Sequence, residues 1–168
     1  EYAITQGAKG LALPARFGQK IHYSPNLEGN SISWSSLDRD AQEWFWAEIS
    51  LSLEVLRTSN ERVAKRLLKN LQIVKSHSSL LDKPGSFKTE LEFPAEWGLG
   101  TSSTFTSLLA QCAQVDPLET FKNAHGGSGY DLACAKADGP ITYQLIENKE
   151  KVLNTTIPFD FLDELGFV

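Results

Sequence analysis

Alternation of apolar and polar residues predicts several short, half-buried strands along this chain. The alternating segments are 17–23, 32–34, 87–93, 141–146 and 152–157. The last two flank a predicted turn at Asn148 and Lys149. Residues 43–57 are rich in Trp, Ile, Leu and Val, which favours strands, although a helix also fits this pattern. The chain therefore has β-structure in both its first and its last third.

Apolar residues spaced three and four apart predict helices between these strands. The clearest helix begins after Ser59 and Asn60 and has apolar positions at Val63, Leu67, Leu68, Leu71 and Val74. A second carries Phe105, Leu108, Leu109 and Cys112 on one face. A third begins at Asp116 and Pro117, an N-cap residue followed by a proline, and a short fourth runs through Ala135. Because strands and helices follow one another without regular β-α-β alternation, the predicted fold class is α+β.

Composition and charge make some classes of function improbable for this chain, among them nucleic-acid binding and membrane spanning. The chain has 168 residues, 16 basic against 21 acidic, and a net charge of −5 without a basic stretch that would suit nucleic acid. No apolar run reaches the roughly 20 residues that span a bilayer, so we expect a cytoplasmic protein without a membrane anchor. Cys112 and Cys134 are expected to be free thiols, and the histidines and cysteines lack the spacing of a metal site. The absence of Met and the start at Glu1 indicate a piece of a longer protein.

The loop over residues 93–104 has the composition of an anion-binding site. A predicted strand ends at Pro94, Gly98 and Gly100 follow, and four consecutive hydroxyl residues (101–104) open an apolar-faced helix. The first amides of a helix and its dipole favour an anion, and glycine lets the backbone approach a phosphate. The hydroxyls of Ser102 and Ser103 can contact phosphate or Mg²⁺.

Three interpretations of this loop compete. It is not a P-loop, because no Gly-Lys-Ser/Thr follows the first glycine at the required distance. It is close to a dinucleotide-binding fingerprint, but Ser103 occupies the position of the third glycine, and the nearest suitable acid, Glu119, lies in a predicted helix start. The third interpretation is a capped helix that glycine happens to precede, without any ligand.

A second glycine cluster covers residues 125–131 and ends with a carboxylate, Asp131, at a helix start. Phosphoryl transfer needs positioned anion donors and often a carboxylate beside the attacking hydroxyl. Taken alone, Asp131 could simply cap its own helix. One hydroxyl-rich loop together with one loop that presents an acid favours phosphoryl transfer over capping.

These residues resemble the signatures of the GHMP kinases (galactokinase, homoserine, mevalonate and phosphomevalonate kinases). Residues 94–103, Pro-x-x-x-Gly-Leu-Gly-Thr-Ser-Ser, resemble that family's second motif, and residues 127–131, Gly-Ser-Gly-Tyr-Asp, resemble the segment with its catalytic aspartate. Residues 129–133 are nearly the Gly-Tyr-Asp-Ile-Ala string of a bacterial subfamily close to the mevalonate and phosphomevalonate branch. The opening residues 1–4 resemble the Gly-Glu-Tyr/His-Ala-Val segment near the substrate.

The resemblance implies an N-terminal GHMP domain over 1–168, with a mixed sheet and a left-handed βαβ crossover, whose first strand and C-terminal domain are missing. ATP and Mg²⁺ would be the ligands, beside a small-molecule substrate, and a homodimer is compatible with the family. The implied phosphate-binding residues are Gly98, Leu99, Gly100, Thr101, Ser102 and Ser103, with Ser102 also a metal ligand. Asp131 would be catalytic, and the implied substrate-binding residues are Glu1, Tyr2, Ser128 and Gly129.

Two departures from the family pattern matter. Thr101 replaces the usual first serine, and the metal-binding glutamate of mevalonate kinases has only Glu119 roughly in its place. The predicted function is an ATP-dependent kinase acting on a metabolite such as mevalonate or phosphomevalonate. A GHMP-fold ligand-sensing protein without catalysis is the alternative, and a dinucleotide-dependent oxidoreductase is a weaker third.

Overall fold

The structure is a computed structural model that describes residues 2–26, 28–125 and 127–157. Within these ranges eight strands form two sheets. The strands are β1 (Gly10–Ala12), β2 (Gln19–Pro25), β3 (Ser31–Leu37), β4 (Glu43–Ser50), β5 (Val55–Thr58), β6 (Gly85–Leu91), β7 (Ile141–Ile146) and β8 (Lys149–Asn154). The helices are α1 (Tyr2–Thr5), α2 (Glu61–His77), α3 (Thr101–Ala113), α4 (Pro117–His125) and α5 (Tyr130–Lys136). The α+β class is therefore confirmed.

The larger sheet has the strand order β2-β6-β3-β4-β5. Its one parallel pair in the described ranges is β3 with β6, and the other pairs are antiparallel. A parallel pair needs a crossover connection, which here runs through β4, β5 and the 17-residue helix α2. The ambiguous segment 43–57 thus forms two antiparallel strands, which turn at Leu53 with a positive φ of 63°.

The main core lies between this sheet and the helices. Alternate side chains of the central strands are buried, among them Ile32, Trp34, Phe45, Ile49 and Phe87. They pack with the apolar faces of the helices, including Leu67, Leu71, Val74, Leu109, Phe121 and Leu132. The opposite face of the sheet is exposed and carries Trp44, which is 51% exposed. The helices therefore cover one face of the larger sheet, as an α+β two-layer unit requires.

The smaller sheet has the order β1-β7-β8 and a core of its own. β7 and β8 form a hairpin whose two turn residues, Glu147 and Asn148, have positive φ angles of 51° and 61°. Such a two-residue turn matches the twist of the flanking strands. It pairs Ile146 with Lys149, so β8 begins three residues earlier than the alternation from Val152 predicts.

Two further predictions concern cysteines and membranes. Cys112 and Cys134 are free, half-buried thiols on α3 and α5, as expected. Burial raises the pKa of both, and the charge of Asp131 adds to the rise at Cys134.

Among the helices of the described ranges, none has the length and apolarity that a membrane crossing needs.

Candidate functional site

The first glycine loop connects β6 to α3 through two left-handed residues. After a 3-10 turn at Ala95–Trp97, Gly98 and Gly100 adopt φ angles of 69° and 73°. A Cβ atom on Gly98 would meet nothing within 4 Å, and one on Gly100 would come no closer than 3.9 Å to Ser103. Glycine is therefore required here by the backbone conformation, and the space beside the loop is open to a ligand.

Gly100 is the N-cap of α3, and no side chain of the described ranges caps the first amides of this helix. Ser102 is exposed, whereas Leu99, Thr101 and Ser103 are half-buried. The hydroxyl of Thr104 donates to the carbonyl of Gly100 at 3.1 Å, which closes the first turn. The start of a 13-residue helix with uncapped amides and an exposed hydroxyl can accommodate the phosphates of a nucleotide.

Residues at the start of β2 and just before it contact this loop and the segment that leads into it. The amide nitrogen Nε2 of Gln19 donates to the carbonyl of Thr101 and to the hydroxyl of Thr104, both at 2.6 Å. The Gly18 amide donates to Glu92 at 3.1 Å, and the ring of Phe17 meets that of Trp97 edge-on at 6.1 Å. Sequence reasoning missed Gln19, because its partners follow it by more than 80 residues.

The second glycine loop leads into α5. Gly127 and Gly129 adopt positive φ angles of 82° and 78°, and Gly129 is the N-cap of the helix. The hydroxyl of the buried Ser128 accepts the amide of Tyr130 at 3.2 Å. Asp131 is exposed in the first turn of α5. Ser128 therefore supplies a side-chain acceptor at this helix start.

The second loop also contacts the smaller sheet. The hydroxyl of Tyr130 donates to the carbonyl of Leu11 at 2.5 Å, and the hydroxyl of Tyr143 donates to the carbonyl of Ser128. Ile4 of α1 packs in the same cluster as Tyr130 and Tyr143. The N-terminal segment and the Asp131 loop thus meet at one sheet. Glu1 and the side chain of Tyr2, both predicted to bind substrate, lie outside what the structure describes.

The helices that follow the two loops are neighbours. α3 packs against α5, and Leu109 and Leu132 belong to the same core cluster. The two glycine loops therefore precede two helices that pack against each other.

Glu119 is the acidic residue that the sequence offers as a partner of the first glycine loop. Glu119 is exposed in the first turn of α4, where its amide donates to Asp116 at 3.2 Å, so it does not end a strand as a dinucleotide site requires. The described ranges hold no group of three or more His, Cys, Asp or Glu residues suited to a metal ion. Ser102 is the exposed hydroxyl of this loop that could give one oxygen to a Mg²⁺ ion, whose other ligands would include nucleotide phosphates and water.

A cavity of about 550 Å³ lies at the other end of α5. It is lined by Leu118, Ala133, Lys136, Ala137, Asp138, Gly139, Pro140, Ile141, Val152, Asn154 and Thr155. Lys136 is ion-paired with Asp116 beside it. Of the motif residues, the described lining contains only Ala133, the last residue of the 129–133 string, and it contains none of the predicted site residues.

No family model, no curated protein and no solved structure matches this chain.

Proposed function

We propose that the protein is an ATP-dependent kinase that transfers a phosphoryl group to the hydroxyl of a small metabolite such as mevalonate or phosphomevalonate. The observation that carries this proposal is the start of α3, where two left-handed glycines precede uncapped amides and the exposed Ser102. This arrangement suits the phosphates of ATP and agrees with the resemblance to the second GHMP signature.

Bound Mg·ATP would supply the transferable phosphoryl group and the metal that neutralises its charge. In this proposal residues 98–103 would bind the phosphates through main-chain amides and hydroxyls, and the Ser102 oxygen would be a ligand of the metal. Asp131 accepts the proton of the attacking hydroxyl or orients that hydroxyl. Glu1, Tyr2, Ser128 and Gly129 contribute to the substrate site, whose parts would converge on the smaller sheet.

The packing of α3 against α5 supports this division of roles, because both helices begin at a proposed site loop. The parallel pair β3 and β6, joined through α2, supports a GHMP-type crossover in the larger sheet. The proposal also includes a left-handed sense for that crossover. It treats residues 1–168 as one domain and allows a homodimer.

The test uses the full-length protein. Isothermal titration with Mg·ATP and with NAD measures nucleotide choice, and ADP release is then followed with mevalonate, phosphomevalonate, homoserine and galactose. ADP release that depends on one of these acceptors is the expected result. Mg·ATP binding without turnover on any acceptor would favour the non-catalytic sensing protein. Binding of NAD in place of ATP would overturn the proposal in favour of an oxidoreductase.

A further inference from the structure

Tyr143 occupies the middle of β7 and is fully buried, with 0% of its surface exposed. Its hydroxyl donates a hydrogen bond to the main-chain carbonyl of Ser128, a residue that is itself only 5% exposed. Water is therefore largely excluded from this contact. A buried carbonyl without a partner is costly, so the loop is stabilised where it meets this hydroxyl.

The loop around Ser128 has little intrinsic stiffness. Gly127 and Gly129 flank it with positive φ angles, and glycine populates several backbone regions with similar ease. External contacts must therefore select its conformation. Tyr143 supplies the contact to the main chain, while Tyr130 reaches β1 through its hydroxyl and meets the Tyr143 ring edge-on at 5.7 Å.

We propose that the Tyr143 hydroxyl is a positioning group that sets the place of the Asp131 carboxylate through Ser128. Only Gly129 and Tyr130 separate Ser128 from Asp131, so a shift of the Ser128 peptide moves the first turn of α5. The inference rests on the proposed function, because it assigns Asp131 a role in phosphoryl transfer. It adds a residue that none of the sequence motifs contains.

The protonation state of Tyr143 suits this role. Burial, with a further contribution from Glu150, raises the pKa of Tyr143 to about 12. The hydroxyl therefore remains a donor across the pH range in which a kinase is assayed.

The test variant is Tyr143→Phe, which keeps the ring and removes only the donor. The matched control is Thr89→Val, since the buried Thr89 hydroxyl donates to Ser36 at 2.9 Å in the larger sheet. Both variants should melt a few degrees below wild type. In Tyr143→Phe we expect kcat to fall at least about tenfold, because small misplacements of a catalytic group can cost up to about a hundredfold. The dissociation constant of Mg·ATP should change less than twofold.

Amide hydrogen exchange gives a readout that does not need activity. Exchange at residues 128–132 should accelerate in Tyr143→Phe and stay close to wild type in Thr89→Val. Equal kcat losses in the two variants, or unchanged exchange in this segment, would overturn the positioning role. If the wild-type protein turns over no acceptor, the proposed function fails, and the exchange comparison alone still decides whether Tyr143 positions the loop.

Discussion

The side-chain amide of Gln19 donates a 2.6 Å hydrogen bond to the hydroxyl of Thr104, and this hydroxyl in turn donates to the carbonyl of Gly100 at 3.1 Å. A chain of hydrogen bonds thus connects the edge strand β2 to the N-cap glycine of α3. The geometry of the proposed phosphate loop depends on this strand as well as on its own glycines.

Replacement of Gln19 by Met should remove its hydrogen bonds to Thr101 and Thr104 while it keeps a side chain of similar volume. We expect the dissociation constant of Mg·ATP to rise about three- to tenfold and stability to fall by about 1 kcal/mol, the usual worth of a hydrogen bond. Gln144→Met is the matched control, because Gln144 donates to the carbonyl of Gly7 at 2.9 Å on the smaller sheet. Titration calorimetry and thermal melts measure both quantities. Equal affinities in the two variants would contradict the role of Gln19.

Ser102→Ala removes an exposed hydroxyl from the start of α3. Because no core contact is lost, the melting temperature should stay close to wild type. Mg·ATP should bind about tenfold more weakly, which corresponds to one charge-assisted hydrogen bond of about 1.4 kcal/mol. Ser86→Ala, at an exposed serine of β6, controls for the loss of a surface hydroxyl. Unchanged affinity and turnover would remove Ser102 from the metal and phosphate site.

Gly100→Val tests the left-handed conformation of the N-cap. Its φ of 73° disfavours any residue with a Cβ atom, so stability should fall by about 1–2 kcal/mol or more for a β-branched side chain. Mg·ATP binding should be abolished. Gly7→Ala, at a φ of 86° beside the smaller sheet, should lose stability while it keeps its affinity for Mg·ATP. A folded Gly100→Val protein with normal affinity would support a simple helix start without ligand.

Asp131→Asn keeps the size of the side chain and removes its charge. If Asp131 is the catalytic carboxylate, turnover should fall at least about a hundredfold, since general-base catalysis contributes about 10²–10⁴. The affinity for Mg·ATP should change little. Loss of the negative charge should also lower the pKa of Cys134, which alkylation rates report, because the charge of Asp131 contributes to raising that pKa. Near-wild-type turnover, with a stability loss of about 1 kcal/mol, is the result expected of a capping residue.

Asp116 gives a pH-dependent prediction. Burial acts to raise its pKa, but the hydrogen bonds from Lys136 and from the amides of Glu119 and Leu118 outweigh burial and lower it below 3.8. A lowered folded-state pKa stabilises the protein above the unfolded value, and this contribution is lost as the pH falls through the folded-state value. Asp116→Asn should therefore reduce stability by about 0.5–1 kcal/mol near neutral pH. The difference from wild type, measured by denaturant melts, should shrink below about pH 4. A difference that stays constant down to pH 2 would contradict this account.

The spacing of apolar and polar residues by itself determined where many of the helices and strands lie. When one side of an element is buried, the spacing of apolar residues shows the backbone period, which is two in a strand and 3.6 in a helix. The helix after Asn60 and a strand near 17–23 could therefore be predicted without any partner, although β2 spans Gln19–Pro25. Asn60 accepts the amides of Arg62 and Val63, and Asp116 accepts those of Leu118 and Glu119, as N-caps at these positions should. The two glycine loops were likewise visible, because positive φ angles select glycine strongly.

Only the tertiary structure decided which of these elements meet. The parallel pairing of β3 with β6 and the start of β8 at Lys149 depend on sheet order and on a two-residue turn, which side-chain periodicity does not encode. The contacts of Gln19 with Thr104 and of Tyr143 with Ser128 join residues that are 85 and 15 positions apart. A glutamine in an edge strand and a tyrosine in a central strand have no local signature of such roles. Their hydrogen bonds arise because the packing of the sheets against the helices places each donor beside a main-chain or hydroxyl acceptor at a glycine loop or at the helix start that follows it.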